Sequence, residues 1–282
     1  MNNIDIFNDT QKRIHTDPVL KRLTEQSVSQ TIVYDENFIS NNTPYCKNSE
    51  ITVEENLTLL SARKHVNQGK KTGILNFANP IEPGGGVLRG ANAQEEYLCR
   101  ASNLYNCLNE TSASAYYKYH NSLIGNDGLR KCFLASDKII YSPNIVVFKD
   151  DVNYMPKSNL PFQQVYTEEW MEVDIITCAA PYFLDDVFLI NDEELLHLFR
   201  KRIRNILEVA IEHGIQAIIL GAFGCGAFNN PPEIVASAFK KVFEEERYQN
   251  AFENVTFAIK RSFSICENLK AFESCFCTQY GF

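Results

Sequence analysis

Two clusters of residues in this 282-residue chain have the types and spacing to do chemistry. In the first, Gly84, Gly85 and Gly86 stand in a row, and seven residues separate them from Gln94, Glu95 and Glu96. Three consecutive glycines stabilise neither helix nor strand, because glycine loses more conformational freedom on folding than any other residue. They offer instead a bare backbone on which a ligand can lie directly against peptide groups. The polar trio falls in the first turn of a helix expected to start near Ala93. Two adjacent carboxylates can move protons there, although acidic residues in a first turn also complement the helix dipole, so capping alone would account for them.

The second cluster is the run GAFGCGAFNNPP, beginning at Gly221. An apolar segment leads into it, and Pro231 and Pro232 open the next helical pattern, where proline is tolerated in a first turn. Backbone N–H groups converging at a helix N-terminus form an anion-binding loop. The GK[ST] ending of a Walker loop is absent, and the run lies too near the C-terminal end for a first dinucleotide-binding unit. Phe223 reads as core, whereas Phe228 reads as an aromatic placed to cover a ribose or a base. Cys225 has no nearby basic residue to make it a thiolate, which sets it aside as a nucleophile. Together the loops suggest a phosphorylated sugar handled by acid–base catalysis, most simply glycosidic hydrolysis.

The elements that must position these loops can be read from hydrophobic runs. Short segments rich in Ile and Val occur at 74–77, 139–141, 145–148, 173–178, 217–220 and 255–259. They do not alternate with polar residues, so they read as strands covered on both faces. Leu195, Phe199, Ile203, Ile206 and Ala210 form one helical stripe ending at Gly214, and Val235, Phe239 and Val242 form another. The consistent solution is a three-layer α/β/α domain over 71–282. Both loops then sit at the C-terminal ends of strands, where such folds bind ligands. Residues 1–70 read as a polar, helical accessory region without a strand. Within it 18–30 is a candidate helix, and Thr52 and Glu55 have the spacing of a capping box.

Hydrophobic residues make up 45% of the chain and charged residues 22%, which excludes wholesale disorder. The net charge of −8 speaks against a non-specific grip on nucleic acid. Nine scattered cysteines without a CxxC or Cys/His cluster imply neither zinc nor a disulfide framework. With no apolar signal core and no run of 18 apolar residues, the expected location is intracellular and cytoplasmic, or nuclear in a eukaryotic cell. The five histidines are dispersed, and Trp170 reads as packing. The acidic pairs Asp150–Asp151 and Asp185–Asp186 read as loop acids rather than a magnesium site. No metal or cofactor is implied.

The GGG–QEE spacing resembles the signature of poly(ADP-ribose) glycohydrolases, a branch of the macrodomain superfamily. GAFGCGAFNNPP is similar to the diphosphate-binding loop of the bacterial-type branch, and NFANP, from Asn76, to its Asn-containing strand end. The resemblance covers roughly Lys71 to the C-terminus. It implies a macrodomain with a mixed central sheet, hydrolysis of ribose–ribose bonds in poly(ADP-ribose), release of ADP-ribose, and attack from chain ends. It also implies Glu96 as the catalytic glutamate and Glu95 as its partner carboxylate on the ribose hydroxyls. Asn79 would orient the ribose. Gly84, Gly85, Gly86 and Gln94 would line the substrate, with Asn76 in support. Gly224, Cys225, Gly226, Ala227 and Phe228 would surround the diphosphate and its ribose.

Neighbouring helical residues point about 100° apart, so Glu95 and Glu96 do not flank a sugar from opposite faces as in a two-carboxylate glycosidase. Glu96 would give a proton to the departing oxygen and take one from water, while Glu95 fixes the substrate and helps keep Glu96 protonated. Two other classes remain. One is a macrodomain that reads ADP-ribose without cutting it, which would not need a proton donor at Glu96. The other is a hydrolase that removes single ADP-ribose units from protein or nucleic acid; residues 198–204 supply a basic helix face. A nucleotide-binding oxidoreductase fails on the placement of the glycine loops.

Overall fold

The computed structural model describes residues 2–44, 46–124, 134–149, 169–182, 190–260 and 266–277. In chain order it contains α1 (Asn3–Thr16), α2 (Pro18–Gln30), β1 (Ile32–Tyr34), β2 (Glu50–Glu54), α3 (Thr58–Val66) and β3 (Thr72–Phe77). After a short 3-10 turn at Val87–Arg89 come α4 (Gln94–Ala101), α5 (Leu104–Leu108), α6 (Ser114–Ser122), β4 (Ile139–Val147) and β5 (Met171–Cys178). The chain continues through α7 (Asp192–Glu212), β6 (Ala217–Leu220), α8 (Pro232–Phe243), β7 (Asn254–Ala258) and α9 (Cys266–Phe276).

The strands form one seven-stranded mixed sheet in the order β1-β4-β5-β3-β6-β7-β2. The five strands from β5 to β2 run parallel, while β4 is antiparallel to both β5 and β1. Successive strand residues go to opposite faces. Leu75, Tyr141, Ile176, Ile218 and Phe257 join α7 and α8 in one buried layer. Ile74, Ile140, Ile175 and Ile219 join α3 to α6 in the other. Each such aliphatic side chain contributes about 1.5–3 kcal/mol on burial, so the sheet is held from both sides as the uninterrupted Ile/Val runs require.

The N-terminal region corrects the expectation of a strand-free segment. Residues 1–70 supply both edge strands, β1 against β4 and β2 parallel to β7. Thr52 is therefore a strand residue, its hydroxyl donating to Thr256 Oγ1 at 3.3 Å, and not a helix cap. Ile51 and Val53 alternate with Glu50, Thr52 and Glu54, a half-exposed edge pattern that reads locally as polar. The next helix starts only at Thr58, and the Glu54 carboxylate accepts from Ser61 and Lys64 on it. The expected helix at 18–30 is present over those residues, capped by Asp17 with Pro18 in the first turn. Ahead of it, α1 starts with Asn2 and Asp5 in a capping box.

The segments at 139–141 and 145–148 also differ from expectation. They are one strand, β4, whose register against β5 shifts between Ser142 and Ile145. Asn144 adopts a positive φ of 52° in that bulge, and its N–H donates to Asp174 Oδ1. Asp150, Asp151, Asp185 and Asp186 lie outside the described residues.

Candidate active site

Three neighbouring parallel strands, β5, β3 and β6, end together, and the loops leaving them meet. Phe77 at the end of β3 packs on Phe223 in the loop after β6, with ring centroids 5.6 Å apart. Phe223 is fully buried, as its core reading requires.

The first loop, residues 78–93, is organised by the two carboxylates that follow it. Glu96 Oε1 accepts from the Gly86 N–H at 2.8 Å, and its Oε2 from the Ala93 N–H at 3.0 Å. Ala93 occupies the N-cap of α4 without a side chain able to cap, so only the reciprocal half of a capping box forms, Glu96 accepting from the Ala93 N–H. Glu95 is 2% exposed; its Oε2 accepts from the Asn79 N–H at 2.7 Å and its Oε1 from the Asn76 amide at 3.3 Å. Gln94 spans the end of β3: its carbonyl oxygen accepts from the Phe77 N–H, and its amide donates to the Leu75 carbonyl. Asn79 turns its carbonyl oxygen onto the N–H groups of Ile81 and Glu82, forming an Asx-type turn.

Gly85 shows how closely the glycine loop lies on the carboxylates. Its φ is +59°, and an added Cβ would stand 2.5 Å from Glu96 Oε1 and 3.0 Å from Glu95 Oε2. Gly84 and Gly86 flank it, Gly84 against the ring of Tyr105. Phe7 of α1 in turn meets Tyr105 edge-on at 4.9 Å. The accessory region therefore buttresses the glycine loop through one aromatic pair, a contact across about a hundred positions that no local spacing could signal.

Electrostatically the two acids are unequal. Burial pushes the Glu95 carboxyl up to about 8, and the adjacent Glu96 charge acts in the same direction. The coupling foreseen from the sequence thus falls on Glu95, where burial favours the protonated form. A neutral Glu95 has an O–H to donate. The buried Asn76 Oδ1 has no hydrogen-bond partner among the described residues, so turning that amide over supplies an acceptor.

The second loop, residues 221–230, carries no charged side chain. Gly224 has a φ of +76°, and a Cβ there would stand 2.4 Å from Ala180 Cβ. Asn230, fully enclosed at the loop's end, shares its amide protons among the carbonyls of Pro181, Gly224 and Phe228. The sequence reading did not single out this anchor, although its place just before the double proline was visible. Gly226 and Ala227 are exposed, and Phe228 is half-buried with Tyr182 edge-on at 5.3 Å. Tyr182 is a second aromatic at this loop that the sequence reading missed. Burial pushes the Cys225 thiol up, away from a thiolate. Among the described residues no group of three or more His, Cys, Asp or Glu is arranged to hold a metal ion.

The model of the microbial-type PARG catalytic domain matches residues 6–150. Among solved structures, poly(ADP-ribose) glycohydrolase from Thermomonospora curvata bound to the inhibitor ADP-HPD is similar at 29% identity. That match covers 96% of this chain and 98% of the other, with a TM-score of 0.82. An E115A mutant of the same enzyme matches at 28% identity over 97% and 99% of the two chains, also with a TM-score of 0.82. Poly(ADP-ribose) glycohydrolase from Deinococcus radiodurans in complex with ADP-ribose matches at 29% identity over 89% and 96%, with a TM-score of 0.72. No curated protein sequence matches.

Proposed function

The chain belongs to the microbial-type PARG catalytic-domain family, and from that premise we propose that Glu96 is the general acid and base of its active site. The activity is that of a glycoside hydrolase cleaving the ribose–ribose O-glycosidic bonds of poly(ADP-ribose) and releasing ADP-ribose. The observation that carries the assignment of roles is the pair of adjacent carboxylates under one glycine loop, beside an uncharged loop rich in bare backbone.

In this reading the terminal ADP-ribose lies across both loops. Backbone N–H groups of Gly224, Gly226 and Ala227 receive its diphosphate around Cys225, whose own N–H donates to the Ala222 carbonyl, aided by the N-terminal end of α8. Phe228 covers the neighbouring ribose, and Asn79 and Glu95 hold the hydroxyls of the ribose whose bond breaks. Gln94 fixes the first turn of α4 to the end of β3. Glu96, once protonated, gives that proton to the departing oxygen as the C–O bond breaks, leaving a sugar cation that a substrate phosphate stabilises. Water then adds to that carbon and returns its proton to Glu96. Because Glu95 and Glu96 are adjacent on α4, neither attacks the far face of the sugar.

Attack from chain ends, an intracellular cytoplasmic location, and the absence of a direct membrane or nucleic-acid partner belong to the same proposal. The described cysteines are free, the net charge is −8, and no helix among the described residues is long and apolar enough to cross a membrane. A time course on purified poly(ADP-ribose) tests the assignment, with Glu96→Gln beside the wild type and ADP-ribose binding measured on both. Release by the wild type alone, with binding intact in both, is the expected result. Equal release from both would remove Glu96 from its role.

A further inference from the structure

Arg89 lies on the Glu96 side of the glycine loop. It ends the short turn Val87–Arg89, its side chain is 65% exposed, and its guanidinium forks onto Glu82, Nη1 to Oε1 at 3.1 Å and Nη2 to Oε2 at 2.5 Å. The position that a Cβ on Gly86 would occupy lies 3.5 Å from Glu96 Oε1 and 3.7 Å from Arg89 Nη2. Ala91 Cβ closes that position at 2.7 Å, so the cation and the proposed acid stand close together on either side of the packed Gly86–Ala91 contact. Next to Arg89, Leu88 is 57% exposed and adds an apolar surface.

We infer that Arg89 recognises the part of the polymer that departs, by pairing with a phosphate of the nucleotide bearing the leaving oxygen. The inference rests on the glycohydrolase reading with Glu96 as acid. A general acid must come within hydrogen-bond reach of the oxygen it protonates, so whatever flanks Glu96 toward solvent faces the leaving group. In poly(ADP-ribose) that oxygen is the 2′-hydroxyl of an adenosine whose 5′ side carries a diphosphate. An exposed planar guanidinium this close to the acid suits a phosphate, and the exposed Leu88 suits the face of the nucleoside.

The Glu82 pair is not needed to shape the loop. Backbone bonds from Gly85 to Glu82, Arg89 to Gly86 and Gly90 to Val87 already fold it. An exposed ion pair of this kind contributes little stability, so a phosphate can take Arg89 from Glu82 at small cost. Glu82 then acts as a rest position that keeps the fork oriented.

The two ends of the pair separate this role from a structural one. Arg89→Gln is expected to lower kcat/KM on poly(ADP-ribose) by about tenfold at low salt, and the loss should shrink as salt rises. Glu82→Gln frees the cation and is expected to leave kcat/KM unchanged or raise it. Both variants should bind ADP-ribose as the wild type does, because the product lacks the departing chain. Hydrolysis of ADP-ribose joined at the same carbon to a small uncharged alcohol should be unaffected by Arg89→Gln. Equal losses in both variants would make the pair a loop tie. An equal loss on the uncharged-alcohol substrate would make Arg89 a group acting on Glu96, and no loss in Arg89→Gln would leave it without a role; each overturns the inference. If the wild type releases nothing from the polymer, the underlying reading fails, and this one with it.

Discussion

The two loops of the site solve different problems with different means. The first is fastened by the groups that would do the chemistry: Glu95 holds the Asn79 N–H, and Glu96 holds those of Gly86 and Ala93. The second has no charged side chain and hangs on the amide of Asn230, with Gly226 and Ala227 left facing solvent. Proton transfer needs a side chain fixed to a fraction of an ångström, so fastening and chemistry converge on the same carboxylates. An anion needs only N–H groups and a helix end, so the binding loop presents backbone and buries its fastener elsewhere. Capping and catalysis at Glu96 are therefore two uses of one carboxylate, not competing explanations of it.

That contrast predicts where damage will register. Gly85→Ala should be the most harmful change. It forces a left-handed backbone on a residue with a Cβ, costing about 1–2 kcal/mol, and drives that Cβ into Glu96 Oε1. We expect kcat on the polymer to fall by about a hundredfold or more, with ADP-ribose affinity much less affected. A loss shared evenly between kcat and affinity would erase the distinction between the loops. Asn230→Ala should do the reverse. It strips three carbonyls of their donor, costing about 1–3 kcal/mol, and ADP-ribose affinity should fall about tenfold or more while kcat at saturation changes less. Isothermal titration and saturation kinetics on the same preparations separate the two patterns.

The same contrast explains what the sequence disclosed. The central strands were legible because both faces are covered, leaving unbroken runs such as those around Ile74 and Ile218. Edge strand β2 was not, because polar Glu50, Thr52 and Glu54 alternate with Ile51 and Val53, and Thr52 with Glu55 mimics a capping box. The bulge at Ser142 to Ile145 divided β4 into two apparent strands. In α1 the buried Ile6, Phe7, Thr10 and Ile14 do fall on one face, but polar residues between them hid the stripe. At the site, the glycine run and the acidic pair announce themselves through local spacing. Asn230's reach to Pro181 and Phe7's contact with Tyr105 depend on tertiary proximity, which spacing cannot encode.

Glu95 sharpens the comparison through pH. Its carboxyl rises from 4.5 in the unfolded chain to about 8 in the fold. Its favourable contribution is therefore full below about pH 4.5 and is lost as pH rises through about 8. Glu95→Gln does not titrate, so it should melt at nearly the wild-type temperature near pH 4.5 and about 10 °C higher at pH 8. Thermal scans at the two pH values read this directly. A gap that is constant with pH would mean the carboxyl is ionised in the fold and that Glu95 meets the substrate as an anion.

The smallest effect belongs to Gly226→Ala, and it tests the binding half of the contrast most cleanly. Nothing lies within 4 Å of the Cβ that would be added, and the residue is exposed. The free protein should keep its melting temperature to within about 1 °C, as a surface change away from packing does. If the diphosphate lies directly on this backbone, the new methyl occupies ligand space and ADP-ribose affinity falls by about three- to tenfold. Gly224→Ala would confuse the two effects, because its Cβ meets Ala180 even without ligand. An unchanged affinity in Gly226→Ala would move the diphosphate off the exposed backbone and onto the buried end of the loop, where Asn230 already holds the carbonyls.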